Sequence, residues 1–166
     1  MTSRTIAALA AIALTWPTTV PRAQDFSSFR VMSPPLALAM AQAALKACGD
    51  RGFQVAVAVV DRFGVPQVML RDSLAGAHTP DTAVAKARTA VSFRSSTHDL
   101  AVATQAGQLN SAIRHIPGYV FFGGGVPVEA AGSIVGGIGI SGAPGGPEDD
   151  ACARAGIAEV EDRLLM

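Results

Sequence analysis

The side chains best suited to chemistry crowd into one stretch of this 166-residue chain. Arg71, Asp72, His78 and Thr79 fall on a segment leading into a helix start, and Lys86 follows about two turns later. Lys86 stands among Ala83, Ala85, Ala87 and Ala90, so its ammonium could reach past small residues to an anionic partner. Arg71 and Arg88 offer further cations. The plainer alternatives are a lysine whose stem lies along apolar surface, or one paired with Asp72. His78 is a candidate metal ligand, because neutral imidazole binds iron, haem iron included; its alternative is a solvent-exposed loop histidine. His98, beside Asp99 in the first turn of another helix, is a reserve ligand. The pattern around His115 does not place its side chain.

Other chemistries fit poorly. Gly137-Ile138-Gly139-Ile140-Ser141-Gly142 has the G-x-G-x-x-G spacing of a dinucleotide loop. That loop must join a strand to a helix, so that phosphate meets the helix N-terminus, and here the first glycines fall inside an expected strand. Eleven of the 17 glycines lie between Gly118 and Gly146, which points to strands approached closely by a helix or ligand. Ser141 lacks the G-x-S-x-G context of a serine nucleophile. The histidines are too dispersed for structural zinc, and no C-x-x-C is present. No acid–base pair is clear enough to name a reaction.

Composition narrows the partners. Hydrophobic residues make up 49% and charged residues 16%, which argues for one folded domain and against disorder. Thirteen basic residues balance thirteen acidic ones with no basic cluster, so nucleic acid is not an expected partner. Residues 1–23 differ from the rest: Arg4, then an apolar run from Ile6 to Trp16, then Pro17 and Pro21. The run is too short to span a bilayer and reads as a signal peptide, with cleavage expected after Ala23 and a periplasmic or secreted destination. Without it the chain carries eleven basic and thirteen acidic residues, a net charge of −2. No other segment reaches spanning length. Residues 24–32 form an N-terminal extension and residues 33–166 the single domain. Cys48 and Cys152 fall in the first and last expected helices; a disulfide is allowed, but their Ala-rich surroundings favour two buried thiols.

The elements that position these residues follow from local pattern. Ser33-Pro34-Pro35 opens a helix that Gly49 ends. Gln54 to Val60 is apolar on both faces, a strand covered on both sides. Asp61-Arg62-Phe63-Gly64 turns the chain back into a second strand, Val65 to Arg71. Thr79-Pro80-Asp81 starts a helix running to about Phe93, with the Thr79 hydroxyl as its expected cap. A short helix begins at Ser96 or Thr97. Strands are expected at Tyr119 to Phe122, Val126 to Glu129 and Ser133 to Ile140, and a helix from Pro147 to about Leu164. The order α-β-β-α-α-β-β-β-α is an α+β fold, with an antiparallel sheet of about five strands packed by helices.

Three blocks carry a resemblance. They are Val55-Ala56-Val57-Ala58-Val59-Val60-Asp61-Arg62-Phe63-Gly64, then Thr82-Ala83-Val84-Ala85-Lys86-Ala87-Arg88-Thr89-Ala90-Val91-Ser92-Phe93, and a third that begins Gly123-Gly124-Gly125-Val126-Pro127. The third continues through Gly136-Gly137-Ile138-Gly139-Ile140-Ser141-Gly142-Ala143 to Asp149-Asp150-Ala151-Cys152-Ala153. Together they resemble the GlcG/HbpS family of haem-binding proteins over roughly Leu36 to Leu164. The resemblance implies a sandwich-like α/β domain around an antiparallel sheet, assembly into dimers or larger oligomers, and haem as a cofactor in some secreted members. Others are encoded near catabolic enzymes.

The leading expectation is therefore a secreted or periplasmic protein that carries, stores or senses haem. His78 would ligate the iron, Thr79 would offer a hydroxyl, and Arg71, Lys86 or Arg88 would meet the propionates, with His98 in reserve. One alternative is an enzyme or accessory factor acting on a small organic anion held by Lys86 and Arg71. Another is a structural interaction module. A homo-oligomer is expected in every case, because a small Ala- and Gly-rich domain exposes apolar faces.

Overall fold

The computed structural model describes residues 27–165. The expected signal peptide and the start of the extension lie outside the described residues. Four strands form one antiparallel sheet in the order β2-β1-β4-β3: β1 Ala56–Asp61, β2 Pro66–Arg71, β3 Gly125–Ala130 and β4 Ser133–Ser141. Five α-helices surround it: α1 Pro34–Gly49, α2 Thr79–Phe93, α3 Thr97–Ala103, α4 Gly146–Glu159 and α5 Glu161–Leu165. A short 3-10 helix spans Ser111–His115.

The sheet is the middle of three layers. Val57 and Val59 of β1 and Ile138 and Ile140 of β4 join the main core with α1 and α4. The alternate residues turn to α2 and are small: Ala56 and Ala58 pack against Ala83, and Gly137 and Gly139 lie under the helix. A Cβ on Gly139 would collide with the carbonyl oxygen of Ala83. Gly137 and Gly139 of the G-x-G-x-x-G string therefore seat a helix on a strand, as expected, and bring α2 close to the sheet, while Gly142 lies against the backbone of Gln54 and Val55. Met32, just before α1, is also buried in the core.

Tyr119 to Phe122 does not form the expected fifth strand. The Val120 N–H donates to Thr89 Oγ1 at 3.0 Å, and Phe93 packs edge-on against Tyr119 and Phe121. Side-chain anchors on α2 thus take the backbone and rings that a sheet ladder would use, and β3 begins only at Gly125. At the α2 start, Thr79 is the first helical residue and not the cap. Its hydroxyl donates to the Gly76 carbonyl at 2.7 Å, and His78 occupies the cap position without a side-chain hydrogen bond. The final helix breaks at Val160 into α4 and α5.

The cysteines correct another expectation. Cys48 of α1 and Cys152 of α4 are disulfide-bonded, with Cα atoms 5.5 Å apart. Their Ala-rich setting is real, but it is the contact between α1 and α4. Small neighbours let the two helices approach, as where Gly156 abuts Ala44, and that approach brings the sulfurs within bonding reach.

Candidate functional site

A cavity of about 420 Å³ opens between the start of α2 and the loop from β4 to α4. Gly76, His78, Thr79, Thr82 and Lys86 form one wall. Ser141 at the end of β4, the Gly142–Gly146 loop and Asp149 form the other, and Phe122 closes one side. The volume lies within the usual range for small-molecule sites.

The deepest feature is an ion pair. Lys86 Nζ donates to Asp149 Oδ2 at 2.7 Å, and both side chains are almost wholly buried. Asp149 Oδ1 accepts the Ala143 N–H at 3.1 Å. The Lys86 ammonium also lies 4.6 Å from the centre of the Phe122 ring, in cation–π contact. Burial pushes the Lys86 ammonium down from its ordinary value, and the hydrogen bond and charge of Asp149, with Asp150 behind it, oppose this. Burial pushes the Asp149 carboxyl up; Lys86 and the Ala143 N–H oppose that, while the charge of Glu148 adds to it.

Gly124 makes room for the pair. A Cβ there would stand 2.7 Å from Asp149 Cβ and 2.8 Å from Lys86 Nζ, and its φ of +116° favours glycine in any case. The partner of Lys86 is therefore Asp149, 63 residues along the chain, and not Asp72, which accepts the N–H of Leu74 in its own turn. In sequence Asp149 shows only as one of several acids at a helix start. Its presence in the same block as the glycine string was the available signal.

The other sequence-derived candidates divide. His78 lines the mouth of the cavity, is exposed, and packs its ring over Gly76. Its ring makes no hydrogen bond among the described residues, so both nitrogens are free for a ligand. Thr79 lines the wall beside it. Arg71 is not brought into the cavity: its guanidinium donates to the carbonyls of Ala75 and Ser73 and braces its own loop. Arg88 donates to the Gly64 carbonyl at 3.3 Å, at the β1–β2 turn. His98 is exposed on α3 and does not line the cavity, and His115 lies in the 3-10 helix away from it. Among the described residues no three His, Cys, Asp or Glu side chains gather into a metal cluster.

Residues 32–158 match the model of a family described as haem degrading protein HbpS-like. The chain belongs to the HbpS-like family. A double mutant of Streptomyces reticuli HbpS is 38% identical, with a TM-score of 0.76 over 92% of this chain and 97% of that one. Klebsiella pneumoniae ORFY is 26% identical, with a TM-score of 0.80 over 84% of this chain and 97% of that one. A PduOC structure in complex with haem is 30% identical, with a TM-score of 0.74 over 78% of this chain and 95% of that one. A 15.0 kDa protein of Citrobacter freundii is 35% identical over 109 residues, 62% of this chain and 74% of that one.

Proposed function

We propose that this HbpS-like chain is an exported haem-binding protein that carries, stores or senses haem, and that His78 ligates the iron at the mouth of the α2–α4 cavity. The family and the haem complex of a relative support a haem-related role. The observation that carries the reading is His78, an exposed imidazole on the wall of a ligand-sized cavity with neither nitrogen engaged. The residues fit the group: His78 would hold the iron, Phe122 offers a half-exposed ring to the macrocycle, and the polar end of the cavity carries a cation. Bound haem would supply a redox-active iron, and the chain's own part is to bind and orient it. Export is supported by the apolar run Ile6 to Trp16 and by the Cys48–Cys152 disulfide, which suits an oxidising compartment.

We propose also that the protein assembles as a dimer or larger. Val65 just before the edge strand β2 and Met69 within it are exposed, as are the neighbouring Phe29 and Phe63. Among the described residues no helix is long and apolar enough to cross a membrane.

Haemin titration followed in the Soret region tests the haem reading. Saturation at one haem per chain or per dimer, lost in His78→Ala, is the expected result. Unsaturable binding indifferent to His78→Ala would overturn it. Light scattering that returns the mass of one chain would overturn the oligomer, and a secreted or periplasmic product beginning with the uncleaved Met1 would overturn the signal peptide.

A further inference from the structure

We infer that the inner end of the cavity is a carboxylate subsite, in which Lys86 Nζ and Ser141 Oγ grip the acid group of the ligand. The inference rests on reading the cavity as a ligand site; it names which part of the ligand enters first. An ammonium has three N–H donors. Lys86 uses one, on Asp149 Oδ2, and no second acceptor meets it among the described residues. Ser141 is 5% exposed, lines the same cavity, and its hydroxyl makes no hydrogen bond among the described residues. The spare N–H donors of Lys86 and the hydroxyl of Ser141, both on residues that line one cavity, suit an oxygen ligand.

The surroundings favour a single negative charge. The N-termini of α2 and α4, helices of 15 and 14 residues, both border the cavity and lend it positive potential. Asp149 does not close the subsite, since its two oxygens are taken by Lys86 and the Ala143 N–H. Glu148 and Asp149 at the α4 start nevertheless oppose a dianion. Among the described residues no arginine lines the cavity, so the multiple parallel donors that phosphate recognition exploits are lacking there. The ligand chemistry is thus a monocarboxylate, either one propionate of haem or a small free acid with its carbon end toward Phe122.

The test uses the full chain with its disulfide intact. Haemin and haemin dimethyl ester, whose propionates are blocked, are titrated into the wild type, Ser141→Ala and the double variant Lys86→Met/Asp149→Leu. Thermal melts with sodium propionate and sodium lactate run in parallel. If the source is haem, the ester binds about tenfold or more weakly than haemin in the wild type, the scale of one charge-assisted hydrogen bond. Ser141→Ala and the double variant then narrow that ratio. If the source is a free acid, propionate or lactate raises the wild-type melting temperature and fails to raise that of Ser141→Ala, whether or not porphyrin binds. Equal binding of haemin and ester, with no response to either acid, overturns the subsite. If that equal binding still depends on His78, the haem reading survives without it. A haemin preference untouched by both variants overturns the assignment to Lys86 and Ser141.

Discussion

Replacing Lys86 with methionine keeps most of the buried stem and removes only the charged end. Asp149 would then sit 3% exposed with the Ala143 N–H as its one remaining partner. Breaking a buried ion pair from one side costs roughly 3–5 kcal/mol, because a charge is left in a medium that solvates it poorly. For a domain of this size each kcal/mol lowers the melting temperature by about 2–4 °C, so Lys86→Met should melt roughly 6–20 °C early. The double variant Lys86→Met/Asp149→Leu removes both charges and should regain most of the loss, since apolar replacement of a buried pair is commonly neutral or stabilising. Urea unfolding of wild type, both single variants and the double variant gives the coupling as a mutant cycle. Acid adds a second check. Burial raises the folded-state Asp149 carboxyl above its ordinary 3.8, so the folded state holds the proton more tightly than the unfolded one. Its stabilising contribution is complete below 3.8 and is lost as pH rises through the folded value. The Asp149 share of the pair therefore favours the wild type over the double variant as pH falls through the folded value toward 3.8. Single-variant losses that simply add in the double variant would refute the reasoning, and so would a Lys86→Met midpoint equal to wild type.

Three further predictions concern the frame around the site. Mutating Cys48 and Cys152 to alanine should cost about 5 kcal/mol in urea unfolding, the entropy scale of a disulfide closing a loop of some hundred residues; a reduced protein with an unchanged midpoint would contradict it. Gly124→Ala should cost more than about 2 kcal/mol, because its Cβ meets Asp149, Ile140 and Lys86 on a backbone of positive φ. Gly49→Ala, with nothing within 4 Å, should be neutral or slightly stabilising, and equal effects at both glycines would sink the steric argument. Thr97→Val should cost about 1–3 kcal/mol, since Thr97 Oγ1 accepts the buried Gly125 N–H at 2.8 Å where β3 begins; hydrogen exchange at Gly125 should accelerate, and unchanged exchange would speak against that role.

Much of the architecture was legible because its causes are local. The doubly apolar run of β1 required cover on both faces, and α1 and α2 provide it. Proline placed the starts of α1, α2 and α4, and Asp61-Arg62-Phe63-Gly64 made the first turn, where Asp61 Oδ1 accepts the N–H groups of Phe63 and Val65. The glycine string of β4 indicated a close neighbour, which is α2. Tyr119 to Phe122 has the composition of a strand, yet Thr89 and Phe93 claim it from another element, an outcome no local pattern encodes.

The site divides along the same line. Sequence alone marked Lys86 as a cation among small residues and put His78 and Thr79 at a helix start, because spacing along one helix is a local property. It could not exclude Arg71 and Arg88, whose long side chains turn to the nearest free carbonyls once the loops are folded. Nor could it join Lys86 to Asp149 or Cys48 to Cys152, pairs separated by 63 and 104 residues. Those meetings depend on how closely helices approach the sheet and one another. That distance is decided by Ala and Gly packing across the whole domain, and only the tertiary structure makes the sum.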